Sequence, residues 1–247
     1  MNIVSELTIK ALKEKGTESI DNYAAILHDA FELSPPPFSM EWYGKKYRKA
    51  TCNPMWLANS LIENATKEGE GARGLWQLAS SIGICEIAEQ VRIHAIDESR
   101  HARLYIAMLD LAFPNMVTQD FRSRLYGLSP SYKAKDCLNN LPVATEANLL
   151  DQLIQMNIGE IRTRINQLLL RPVIVAHCPF SQRKRLMRIL DSLLHDETKH
   201  IEYTACLINQ FVKKGFADFV LQTMHKRLAE FNQITLNEVG ELRFDGA

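Results

Sequence analysis

Two eight-residue stretches about a hundred residues apart carry one pattern. The first is His94-Ala95-Ile96-Asp97-Glu98-Ser99-Arg100-His101, and the second is Leu193-Leu194-His195-Asp196-Glu197-Thr198-Lys199-His200. Both contain Asp-Glu-x-x-His with Arg or Lys just before the final His. On a helix, Glu and His at i and i+3 stand on one face, so their side chains converge. A carboxylate beside an imidazole suits iron or manganese better than magnesium or calcium. One Glu-x-x-His arises by chance on many solvated helices. A second copy that repeats the Asp and the basic residue is far more specific, and it requires a fold that gives both stretches helical periodicity.

The rest of the chain supplies that periodicity. Residues 3–15 and 18–33 read as amphipathic helices, the second stopped by Ser34-Pro35-Pro36-Pro37, because three prolines cannot continue a helix. Residues 38–53 are aromatic and basic, which reads as a packed loop or short helix, with a substrate lid or partner surface as the sharper alternative. From Pro54 to Ile82 an apolar row runs through Ala58, Leu61, Ala65, Glu68, Ala72, Leu75, Ala79 and Ile82. Glu68 is its one charge, and a carboxylate on an apolar stripe must be paired, protonated or metal-bound. Glu63 and Glu70 lie on a neighbouring row and remain alternatives for the same role. The glycines at 69, 71 and 74 weaken this helix by about 1 kcal/mol each, or mark a bulge or a close helix contact. Gly83 is the expected turn. Residues 84–112 follow with Ile84, Ile87, Val91, His94, Glu98, His101, Tyr105 and Met108 on one row. Glu68 and Glu98 stand fifteen residues either side of Gly83, level with one another in an antiparallel hairpin.

Pro114 ends that helix, and residues 113–144 read as a long polar crossover between two helical hairpins. A third core helix is expected over 145–171, with Glu160 alone among apolar neighbours and Arg171-Pro172 and Cys178-Pro179 bounding its end. A fourth, over 180–213, carries Leu186, Leu190, Leu193, Glu197, His200, Thr204, Leu207 and Phe211. A last amphipathic helix spans about 215–239, and the tail from Glu241 is expected to be loose. No segment alternates as a strand would. The expected fold is therefore all-α and a single domain, a four-helix bundle with added N- and C-terminal helices and its metal-binding core in about 58–210.

Two antiparallel pairs of these helices would bring Glu68, Glu98, His101, Glu160, Glu197 and His200 to one level. Four carboxylates there carry charge −4, which two divalent ions balance; without metal such a cluster is tolerable in an apolar core only if protonated. A metal-bound His usually gives its other N–H to a carboxylate. On that ground Asp97 is expected to brace His200, and Asp196 to brace His101. His94, one turn before Glu98, is either a third imidazole ligand or a hydrogen-bonded core His. Tyr105 and Thr204 lie one turn beyond the two histidines. They are either core packing or, for Tyr105, a group able to hydrogen-bond a metal's ligand or carry a radical. His195 is off the row, and His28 and His177 show no partner in the pattern.

At these residues the chain resembles the ferritin-like di-iron carboxylate superfamily: a lone Glu, then the Glu of Asp-Glu-x-Arg/Lys-His 30 and 37 residues on, in the two copies. Within it, the pattern is most similar to the p-aminobenzoate N-oxygenase type, which adds a His four residues before a ligand Glu. Here that His, His94, accompanies the first motif, and Lys199 stands where Arg is expected. The resemblance implies two iron ions, with manganese as the alternative. It implies O₂ activation using electrons from a reductase, and oxidation of a small organic substrate, an N-oxygenation of an amine included. Glu98 and Glu197 would be the carboxylates at the reacting centre. Two other classes remain open: a rubrerythrin-like or ferritin-like protein handling iron or peroxide, and a helical interaction protein whose Glu-x-x-His pairs are accidental. Absence of Cys-x-x-Cys argues against a rubredoxin-like partner domain.

Composition excludes further classes. The 29 Lys+Arg against 29 Asp+Glu leave no net charge, which argues against nucleic-acid binding through a general basic surface. The first residues lack an apolar signal core, and no run of about 18 apolar residues occurs, so the expectation is a soluble cytoplasmic protein, not bound to membrane, with homodimer formation open. Five scattered cysteines, Cys52, Cys85, Cys137, Cys178 and Cys206, give neither a disulfide framework nor a thiolate zinc site.

Overall fold

The computed structural model describes residues 2–17, 19–116, 118–128 and 144–240. Among them the chain is helical throughout, with no strand. The helices are α1 (Ile3–Glu14), α2 (Asp21–Leu33), α3 (Glu41–Ala50), α4 (Pro54–Ser81), α5 (Cys85–Ala112), α6 (Gln119–Leu128), α7 (Glu146–His177), α8 (Arg183–Phe211) and α9 (Ala217–Gly240). Short 3₁₀ turns cover Pro37–Ser39 and Phe180–Gln182. No described helix is long and apolar enough to cross a membrane.

The chain divides into two compact units. The first contains Met1–Asn53, Glu146–Arg171 and Leu194–Ala247; the second contains Pro54–Thr145 and Pro172–Leu193. Helices α7 and α8 therefore each contribute to both.

In the first unit, the amphipathic faces expected from the sequence form the core. Leu12 of α1, Tyr23, Leu27 and Phe31 of α2, Leu150, Leu153, Ile154 and Ile158 of α7, Ile208 of α8 and Val220, Met224 and Leu228 of α9 are fully buried. Asn2 starts α1 by accepting the Val4 N–H at 3.0 Å, and its amide donates to Ser39 Oγ at 3.1 Å. Gly16 ends the helix at φ +88°, with its N–H on Lys13 and the Thr17 N–H on the Leu12 carbonyl; this closure needs a left-handed residue after the last turn. Gly215, at φ +100°, makes the kink between α8 and α9. Residues 41–50, left open between loop and helix, form α3, which buries Tyr43 and Tyr47.

In the second unit, α4 packs on α5 through a row of small residues: Ala58, Ala65, Gly69, Ala72 and Ala79 are all buried. Small side chains let two helix axes approach closely. The three glycines do not interrupt α4, because the packed face supplies the stability that local propensity withholds. On α5 the expected row is the buried one, from Ile87 through Val91, His94, Glu98, His101 and Tyr105 to Met108.

One expectation gains detail and one fails. The connection read over 113–144 contains a helix, α6, which packs against α4; residues 129–143 of that stretch, Cys137 among them, fall outside the described residues, as does the tail from Glu241. Helix α7 does not stop at Arg171. It continues to His177 with Pro172 inside, although proline removes a hydrogen bond to the Leu168 carbonyl and crowds it. Burial of Ile174 just beyond the proline favours continuing the helix.

Candidate metal-binding sites

In the second unit, α5 carries His94, Glu98 and His101 on its buried face, and α4 presents Glu68 to them. Glu98 Oε1 lies 3.4 Å from His94 Nε2 and 3.4 Å from His101 Nδ1. Glu68 Oε2 lies 4.0 Å from the same His101 nitrogen. Side-chain exposure is 1% for His94, 0% for His101 and 11% for Glu68. A methyl group added at Gly71 would sit 3.8 Å from Glu98 Oε2, so Glu98 rests against the small-residue face of α4. Glu63 and Glu70 are exposed. Burial pushes the Glu98 carboxyl up, but the polar groups of Glu68, His101 and His94 facing it outweigh that and hold it well below the usual carboxylate range.

The first unit repeats the arrangement. Glu160 comes from α7, and Glu197 and His200 from α8. His200 Nδ1 lies 3.6 Å from Glu160 Oε2 and 3.7 Å from Glu197 Oε2. Glu197 and His200 are buried, with 0% and 3% side-chain exposure. One further residue touches this set: Gln167 of α7, buried, donates from Nε2 to Glu197 Oε1 at 2.8 Å.

These donor sets fit a transition-metal ion. The ring-to-carboxylate separations exceed ordinary hydrogen-bond length. They match neighbouring ligands on one ion, which at metal–ligand distances of about 2.0–2.2 Å stand roughly 3–4 Å apart. Single donor atoms of Glu68, Glu98 and His101 all lie within 4.8 Å of one another. In both sets the imidazole turns Nδ1 toward the carboxylates. On a bound ion Nδ1 would be the coordinating atom, and Nε2 the atom left to hydrogen-bond outward. His94 is the exception, presenting Nε2.

The repeated Asp and basic residue also acquire a local purpose. Arg100 donates to Asp97 at 2.8 Å, and Lys199 donates to Asp196 at 3.3 Å. Each is an i,i+3 pair on the helix that carries the Glu-x-x-His turn. Arg100 also reaches Ser192 Oγ at 3.1 Å. Tyr105 is 2% exposed, packed one turn past His101. Thr204 donates to the His200 carbonyl at 2.7 Å and accepts from Asn157 at 2.9 Å, so it belongs to the packing of α8. His195 is exposed. His28 Nδ1 meets Ser5 Oγ at 2.7 Å, and the His177 ring lies 5.5 Å from that of Phe113. Gln167 escaped the sequence reading as a functional residue. Its signal was there, a polar residue two turns after Glu160 on the same apolar row, but an amide carries no charge that burial makes conspicuous.

No family model, curated protein or solved structure matches the chain.

Proposed function

We propose that the protein is a non-haem di-iron oxygenase of ferritin-like architecture that oxidises a small organic substrate, with an amine the leading class. The observation that carries this is the buried Glu plus Glu-x-x-His donor set, built once in each compact unit from the two copies of one motif. Glu68, Glu98, His101 and His94 would hold one ion; Glu160, Glu197 and His200 would hold the other. Iron bound by them would supply reductive activation of O₂, with electrons from a reductase.

The chain's own residues prepare for that chemistry. Glu98, held as a carboxylate despite burial, is an anionic ligand at neutral pH. His101 and His200 present Nδ1 from fixed helical positions one turn from their glutamates. The Asp97–Arg100 and Asp196–Lys199 pairs brace each turn along its own helix. Burial of both sets keeps bulk water from the metal ligands, which strengthens electrostatic interactions there.

The donor set does not separate iron from manganese, so the test begins with the metal. Protein purified from iron-supplemented cells should carry close to two irons per chain, magnetically coupled by Mössbauer spectroscopy. With a chemical reductant it should consume O₂ faster when an aromatic amine is added. Two uncoupled irons, or none, would sink the di-iron reading. Peroxide turnover indifferent to the amine would replace the oxygenase with a scavenger.

A further inference from the structure

We propose that Gln167 is a substrate-recognition residue whose side-chain carbonyl accepts a hydrogen bond from an N–H of the substrate, so that the site selects primary or secondary amines over hydrocarbons of the same shape. The inference rests on the oxygenase reading and adds a recognition element to it.

Three observations carry it. Gln167 is 4% exposed, and its Nε2 is committed to Glu197 Oε1 at 2.8 Å. The structure turns the amide NH₂ toward Glu197 and lets the carboxylate oxygen accept; the flipped orientation would set the amide oxygen against a carboxylate oxygen. That contact fixes where the amide oxygen points. Gln167 Oε1 is itself buried and has no hydrogen-bond partner. A buried acceptor left in that state costs about 1–3 kcal/mol, and native interiors rarely tolerate it without an occupant. Finally, the two amide atoms are bonded to one carbon, which places Oε1 within about 5 Å of the Glu197 oxygen that Nε2 touches. The missing donor therefore belongs beside a proposed metal ligand, where a substrate must come to react.

The chemistry of that donor is narrow. A carbonyl oxygen takes N–H or O–H and rejects C–H. An amine nitrogen placed there would be held by its own hydrogen, with its lone pair free to face the metal side. A site built around a buried acceptor discriminates strongly against analogues that lack the donor, because they leave the acceptor stranded.

The experiment uses the full chain loaded with ferrous iron under argon, its iron content measured first. Three probes are titrated by calorimetry: aniline, toluene and N,N-dimethylaniline. Aniline and toluene are close in shape; only aniline offers N–H. Wild-type protein should bind aniline about tenfold more tightly than either of the others. In Gln167→Met, which keeps the volume and removes both polar atoms, that preference should fall to about unity with toluene affinity held. Equal affinities in the wild type overturn the inference and assign Oε1 to a buried water. A preference that survives in Gln167→Met overturns it as well. Gln167 also supports Glu197, so iron is measured in the variant too; where the variant has lost it, the wild-type comparison of aniline with its dimethylated form needs no variant and decides the matter. Protein that takes up no iron refutes the oxygenase reading and takes this inference with it. Iron near two per chain without amine preference refutes the role of Gln167 alone.

Discussion

Glu98 is where the second unit's polar geometry converges: two imidazole nitrogens at 3.4 Å, the Glu68 carboxyl across from it and the small-residue face of α4 behind it. Replacing it with Ala strips the central anion from that donor set. Glu98→Ala should lower bound metal by about one ion per chain, measured by elemental analysis after desalting. Glu63→Ala, at an exposed position on the same helix as Glu68, should leave the metal count as it was. If Glu63→Ala removes metal and Glu68→Ala does not, the α4 ligand has been misassigned. The acids of the two clusters were legible in the sequence because a charge on an apolar row is conspicuous, and Glu68, Glu98, Glu160 and Glu197 each stand on one. Two things were not legible. Gln167 carries no charge to mark it. The Asp97–Arg100 and Asp196–Lys199 pairs were not foreseen, since the motif pointed each aspartate to a histidine and not to the cation three residues on.

At the level of the helix, legibility followed the strength of the periodic signal. Helices α4, α5 and α8 were bounded closely, because burial repeats along them for seven turns or more. Short α3 and α6 were not, since ten residues give too few turns for a face to declare itself. Pro172 misled because local backbone chemistry said stop, while the apolar residues beyond it said continue. The same contest between local propensity and packing gives a test in α4. Gly74 is exposed, has an ordinary helical backbone, and an added methyl group would meet nothing within 4 Å. Gly74→Ala should therefore stabilise by about 1 kcal/mol, seen as a thermal midpoint roughly 2–4 °C higher, with metal content unchanged. No rise would mean that α4 needs glycine there for a reason its surroundings do not reveal. A second test concerns the buried polar links of the first unit. Tyr23 donates to Asn157 Oδ1 at 2.8 Å, and the Asn157 amide donates to Thr204 at 2.9 Å, all three residues being fully buried. Tyr23→Phe leaves that amide oxygen without its donor. It should cost about 1–3 kcal/mol in urea unfolding. A cost near zero would show that water fills the gap.

Across the molecule, resistance to acid should owe part of its shape to two carboxylates that tie distant segments of the first unit. Asp151 of α7 holds Arg227 of α9, accepting from Arg227 Nε at 2.8 Å. Glu202 of α8 receives the Lys15 ammonium from the end of α1, and Thr17 Oγ1 at 2.7 Å. Hydrogen bonding to Arg227 lowers the Asp151 carboxyl. Burial pushes Glu202 up, but Lys15 and Thr17 outweigh it and lower that group too. Unfolded, the two titrate at about 3.9 and 4.3. Above those values both are ionised in either state, and the stabilisation from their partners is complete. As pH falls below them, the unfolded chain takes up protons first, so the contribution declines until the folded carboxyls are protonated as well. The loss therefore lies on the acid side of about pH 4–5, and nothing from these groups changes between pH 6 and 8. Both side chains keep partial solvent access, which screens the effect and makes it modest. The double variant Asp151→Asn, Glu202→Gln should be somewhat less stable than wild type at neutral pH. Its urea midpoint should also fall less steeply between pH 5 and 3, so that the two curves converge in acid. Curves that stay parallel through that range would show that these ties carry no proton-linked stability, and that the acid response is set elsewhere, with the buried glutamates of the two donor sets the first place to look.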